Sequence, residues 1–121
     1  VDRLGLAVLL WKPFAAAAEV PRWERPHKMP ELIPGKVVLD AFSTGWCPVA
    51  NANLEHARRA AGVLGARVVY REYNTRDPAV LAEWGMTDTV LLDGKPLVKG
   101  PPLSYEKIEK KIARRMKRLK S

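Results

Sequence analysis

Val37-Val38-Leu39-Asp40-Ala41-Phe42-Ser43-Thr44-Gly45-Trp46-Cys47-Pro48 is the stretch that decides the fold. Val37 to Phe42 is a nearly continuous apolar run, the pattern of a strand buried on both faces, so it is predicted to be central. Ser43 to Trp46 read as a loop. Pro48 then suits the first position of a helix, where its missing N–H costs nothing, which puts Cys47 at the N-cap. Ala50, Leu54, Ala57, Ala61 and Leu64 follow at helical spacing, with Asn51, Glu55, Arg58 and Arg59 on the other side and Gly65 as the stop.

Downstream, Arg67 to Tyr73 is predicted as a second strand, and Asp77-Pro78 as the cap and first turn of a short helix running through Trp84. Thr89 to Leu92 and Leu97 to Lys99 flank the turn signal Asp93-Gly94-Lys95-Pro96 and read as a hairpin. Ser104 caps the last helix, whose apolar face is Tyr105, Ile108, Ile112 and Leu119 with Met116 beside it. The expectation for residues 35–121 is an α/β domain of order βαβαββα, a small mixed sheet flanked by helices.

Upstream, residues 15–34 carry Pro21, Pro26, Pro30 and Pro34 among charges and are expected to form an extended, semi-rigid connection in which Trp23 is available to dock on a neighbouring surface. Residues 1–14 hold one short extra strand, Leu4 to Trp11, closed by Lys12-Pro13. Left exposed, such a strand favours a homodimer.

Composition narrows the function classes. The chain has 121 residues and a formal charge of +8, and residues 105 to 121 hold eight Lys or Arg against Glu106 and Glu109, which leaves only +2 elsewhere. Lys107, Lys111, Arg114 and Arg118 recur at spacings able to follow phosphates, but no aromatics are interleaved for base stacking, so weak nucleic-acid or anion binding is the most they imply. A plain solvated helix face is the bland alternative. No apolar run approaches the roughly 18 to 20 residues of a membrane span. The lone cysteine forms no internal disulfide and builds no cysteine zinc site, which agrees with a reducing compartment; with no signal-peptide pattern at the start, a cytoplasmic location is expected. No glycine-rich phosphate cradle is present, and neither cofactor nor metal is expected.

The predicted order, with Val37 to Pro48 and the later Leu91-Leu92-Asp93-Gly94-Lys95-Pro96-Leu97, resembles the thioredoxin superfamily. The resemblance puts Cys47 at the reactive-thiol position, with Pro48 and Trp46 as its neighbours, and a helix N-terminus favours the thiolate form that does the chemistry. Two positions depart from the family. Ala50 stands where the second cysteine of Cys-x-x-Cys belongs, and Asp88 aligns with the cis-proline that faces the thiol. Dithiol exchange is therefore excluded, and a reactive Cys47 implies monothiol chemistry completed by a low-molecular-weight thiol or a partner-protein thiol. The proline and glycine pair by which monothiol glutaredoxins hold glutathione are not found.

More narrowly, Pro34 to Val38, Cys47-Pro48 and Arg71-Glu72-Tyr73-Asn74-Thr75 resemble the YoaP-like C-terminal module fused to some GNAT N-acetyltransferases. Residues 1–14 look like the last strand of such an enzyme, which implies a preceding acetyltransferase domain as partner, with its acetyl-CoA site outside these residues. Three functions are thus open: a redox-responsive thiol domain, a non-catalytic interaction or accessory module in which Cys47 is a remnant, and an anion-binding accessory protein. Trp46 either packs beside the thiol or is an ordinary core or surface aromatic. His27 and His56 are expected at the surface. Asp40 is either a structural strand residue or, as the resemblance implies, a buried carboxylate that assists proton transfer.

Overall fold

The computed structural model describes residues 2–4, 7–21 and 25–119. Its elements in chain order are β1 (Asp2–Leu4), β2 (Ala7–Leu9), β3 (Val37–Ser43), α1 (Pro48–Leu64), β4 (Val68–Asn74), α2 (Pro78–Trp84), β5 (Thr89–Leu92), β6 (Lys95–Pro96) and α3 (Tyr105–Arg118). The protein is therefore mixed α/β, with a four-stranded mixed sheet ordered β4-β3-β5-β6 and three helices. β3 lies inside the sheet, parallel to β4 and antiparallel to β5, in keeping with its apolar run. Trp23 and Lys120 lie outside the described residues.

Two elements differ from the sequence expectation. In place of one strand from Leu4 to Trp11, β1 and β2 pair with each other antiparallel in register Asp2↔Leu9, forming a separate two-stranded sheet. Pairing within the segment satisfies backbone groups that a lone strand would leave bare. The second difference is the hairpin, which turns two residues earlier than expected. Leu92 pairs with Lys95, so Asp93-Gly94 alone make the turn. Both have positive φ, 47° and 81°, as a two-residue turn matched to strand twist requires, and Asp-Gly is a preferred pair for it. Pro96 then sits on the edge strand, where a missing donor is tolerated.

Strand periodicity sorts the core into two unlike layers. Val37, Leu39 and Ala41 of β3 face α1 and α3, and with Ala57, Ala60, Val68, Leu97, Ile108 and Ile112 they make an aliphatic core. Alanines on α1 let that helix sit close to the sheet. Val38, Asp40 and Phe42 point the other way. There Phe42 stacks on Tyr73 with centroids 4.4 Å apart and planes 8° apart, and Trp84 of α2 meets both rings, with Met86 and Leu91 completing the cluster.

Helix α2 has only seven residues, and chain from the proline-rich stretch packs beside it. His27 N–H donates to Trp84 O (2.9 Å), His27 Nδ1 bonds Ala82 O (2.7 Å), and Lys28 pairs with Glu83 while its Nζ lies 4.3 Å from the Trp84 ring centroid. Pro30 is buried, and the Glu31 carbonyl is held by Arg71. The stretch has no helix or strand of its own over residues 25–36 but is fixed to the sheet face at several points.

Gly85 marks how close this approach is. It ends α2 with φ 69° and ψ 19°, and a Cβ there would stand 2.1 Å from the Arg25 carbonyl oxygen. Gly85→Ala adds left-handed strain to a backbone collision, and a loss of roughly 1–3 kcal/mol is expected in denaturant titration. Limited trypsinolysis should show faster cleavage after Lys28; unchanged cleavage and stability would mean that the stretch is not held by this contact.

Candidate functional site

The turn from β3 into α1 carries the sequence's candidate chemistry, and its backbone is wired residue by residue. Thr44 N–H and Thr44 Oγ1 both donate to Asp88 Oδ1, at 3.1 and 3.0 Å. Gly45 N–H donates to Ser43 Oγ (3.0 Å), Trp46 N–H to Thr44 Oγ1 (3.2 Å), and Asn51 Nδ2 to the Gly45 carbonyl (3.1 Å). The N–H groups of residues 44–46 are therefore all engaged within the protein. Cys47 is the N-cap of α1 with extended φ and ψ of −97° and 111°; its carbonyl accepts the first helical bond from Asn51 N–H, and its side chain caps nothing. The thiol is thus left without a structural bond to make at the positive end of a 17-residue helix.

Exposure around this thiol is uneven. Cys47 is partly buried, whereas Trp46 is 76% exposed and Val49 46%, with Pro48 exposed between them. The three flank the cysteine with apolar surface. Ala50, one turn into the helix, lines a cleft of about 50 Å³ with Phe42, Asn53, Leu54, Asp88 and Val90.

Asp88 is the site residue whose role the sequence reading did not reach. Its carboxylate does not stand unpaired before the cysteine but clamps Thr44, joining the loop before β5 to the loop before α1. Its φ is 51°, a left-handed value that Asp tolerates better than most residues. No local signal announces this clamp, because Thr44 and Asp88 are far apart in sequence and only the fold brings them together.

Asp40 lies mid-strand on the face away from α1 and is fully buried. Arg71 grips it with a two-point fork, Nε to Oδ1 at 2.7 Å and Nη2 to Oδ2 at 3.1 Å, and Tyr73 Oη donates to Oδ1 at 2.8 Å. Both partners sit on β4, Arg71 directly across the parallel pair and Tyr73 two residues on, so one strand face brings them together. The carboxylate's bonds are thus committed to a cross-strand triad.

The histidines lie elsewhere. His27 is an exposed residue bonded to α2. His56 is half-buried rather than at the surface, 6.0 Å from the Tyr105 ring, because residues three to four apart on α1 share the side that meets α3; its Nδ1 is buried and unpartnered. Among the described residues no three His, Cys, Asp or Glu side chains form a metal-holding group, and no helix is long and apolar enough to cross a membrane.

The triad makes two predictions. Asp40→Asn removes one charge from a pair whose carboxylate is fully buried and whose guanidinium is about a third exposed, and a loss of about 3 kcal/mol is expected in chemical denaturation. Tyr73 is pushed up to about 12, first by burial and then by its bond to Asp40. Tyr70 is raised by burial and by its bond to Glu72, and Tyr105 by its bond to Glu109. Because folding holds the Tyr73 phenol protonated, the stability it gives is complete below pH ~10 and is lost as pH rises toward 12. Absorbance titration checks this: all three tyrosines ionising together near pH 10 in the folded protein would contradict it, and Asp40→Asn should lower the Tyr73 transition alone.

Comparison with protein-family models, with curated proteins and with solved structures yields no match, so what this turn does is argued from its geometry.

Proposed function

We propose that residues 35–121 are a thioredoxin-like thiol domain in which Cys47 is a redox-responsive monothiol. One observation carries the reading: the chain's single cysteine caps a long helix that leaves the central strand of a β4-β3-β5-β6 sheet, unbonded and rimmed by exposed Trp46, Pro48 and Val49. In the reaction, the Cys47 thiolate attacks a disulfide, a Cys47–sulfur bond forms, and the other sulfur leaves as a thiolate that takes up a proton. With Ala50 in place of a resolving cysteine, the mixed disulfide waits for an external thiol, whose thiolate attacks the sulfur of the bound group and forms a disulfide with it, while Cys47 leaves as the thiolate it started as. The helix N-terminus supports the thiolate, and the apolar rim offers a landing surface for a partner carrying the disulfide or thiol.

A second reading has its own support. Asp88, which the resemblance aligns with the family's cis-proline, has φ 51°, which a proline ring cannot adopt, and its carboxylate is spent on Thr44. If that alignment holds, the loop that faces the thiol in thioredoxins serves here as a brace. On this reading the domain is a non-catalytic docking module, in the sense implied by the resemblance to acetyltransferase-fused modules, and Cys47 is a remnant.

Reaction with glutathione disulfide separates the two. Under the first reading the folded protein forms one adduct at Cys47 roughly two- to threefold faster than the urea-unfolded chain, a rate gain that a helix-terminus interaction of ~1 kcal/mol gives after the loss of nucleophilicity is allowed for. Added thiol should reverse it, and Cys47→Ser should give none. An adduct formed only after unfolding would leave the docking module.

A further inference from the structure

The end of the sheet away from Cys47 holds a second feature. Between the β5–β6 turn and α3 lies a cleft of about 290 Å³, near the lower limit of small-ligand sites. Lys95 stands on the hairpin wall and Lys111, Arg114, Arg115 and Arg118 on the helix wall, against Asp93 as the single carboxylate of the lining. That carboxylate is already used: Oδ1 accepts Val38 N–H at 2.8 Å and Oδ2 accepts Arg115 Nε at 2.7 Å. Lys111 Nζ donates to the Leu97 carbonyl at 2.9 Å, which fixes the lysine without neutralising it. Arg115 and Lys111 therefore bind the two walls together.

Lys95, Arg114 and Arg118 have no carboxylate within ion-pair distance among the described residues. Arg114 and Arg118 are one turn apart on the same face, where like charges repel by a few tenths of a kcal/mol. Attraction to the negative end of α3 accounts for basic residues in its last turn, but not for Lys95 on the facing hairpin. A membrane role fits poorly, because the apolar side of α3 is spent on the core through Ile108 and Ile112.

We propose that this cleft is a binding site for a compact phosphoryl ligand, a di- or triphosphate group, with Lys95, Arg114 and Arg118 as its donors. Guanidinium forks match phosphate oxygens in pairs, and the third cation on the opposite wall closes the site around a group carrying several charges. The site is independent of the thiol chemistry.

Calorimetric titration of the full chain with pyrophosphate at constant ionic strength tests this. One saturable site is expected, weakened about tenfold or more in Arg114→Gln/Arg118→Gln, because each guanidinium supplies charge-assisted hydrogen bonds to phosphoryl oxygens that a glutamine amide does not replace. Lys110→Gln/Lys117→Gln removes the same charge from α3 outside the cleft and should change affinity less than about twofold; Cys47→Ala should change nothing. Unaltered thermal midpoints show that both double variants remain folded. Equal weakening in the two double variants, or no saturable pyrophosphate binding, overturns the site. So does binding confined to a short DNA duplex with a steep salt dependence, which would make α3 a general polyanion surface.

Discussion

A carboxylate buried in the middle of the central strand is the constraint around which the rest of the molecule is arranged. Taking such a group out of water costs several kcal/mol unless its oxygens are matched, so Asp40 dictates what may stand beside it. Arg71 and Tyr73 meet that demand from the parallel neighbour, and their spacing on β4 is fixed by the strand period. The consequence reaches further, because Arg71 Nη2 also donates to the Glu31 carbonyl at 2.9 Å. One guanidinium therefore ties together two strands and the irregular chain that runs over them.

This explains why the two faces of the sheet are built differently. The face under α1 and α3 is closed by aliphatic side chains whose burial is non-directional, and it tolerates small adjustments of helix position. Among the described residues the other face has the short α2 and residues 25–36 to cover it, neither able to supply a broad apolar surface. Directional contacts take over: the stacked Phe42 and Tyr73 rings, the Lys28 cation over Trp84, and the Asp40 triad. Such contacts specify one arrangement of the covering chain, at the cost of depending on each partner.

How far the sequence could be read follows from the same physics. Element order from Val37 onward was legible because each element carries a local signal: the apolar run of β3, Pro48 after Cys47, Asp77 and Ser104 as caps, and the 3.6-residue pattern of α3. The Asp93-Gly94 turn was located but drawn too wide, because Lys95-Pro96 also reads as turn chemistry until the register is known. Residues 25–36 show no periodicity, so composition could say that they are extended but not that His27 and Lys28 would fasten to α2. At the candidate site, Cys47 and its helix were legible. The Thr44–Asp88 clamp and the facing of Lys95 to Arg114 and Arg118 were not, since both join residues that only the tertiary fold makes neighbours.

The placement of the two sites along β3 decides whether they can influence one another. Val38, bonded to Asp93 at the rim of the cationic cleft, and Ser43, where the cysteine turn begins, lie five residues apart on one strand. At about 3.3 Å per residue that is on the order of 17 Å, twice the screening length of roughly 8 Å at physiological salt. The field of the basic helix is therefore largely screened at Cys47, and the nearby N-terminus of α1 dominates there. A link between the ends would have to be mechanical, through β3 itself, and β3 is the most constrained strand in the molecule, hydrogen-bonded on both edges and packed on both faces. Coupling through such a strand requires a second arrangement that both sites could bias, and β3 is described in one, which leaves the thiol turn and the cationic cleft as separate features of one frame.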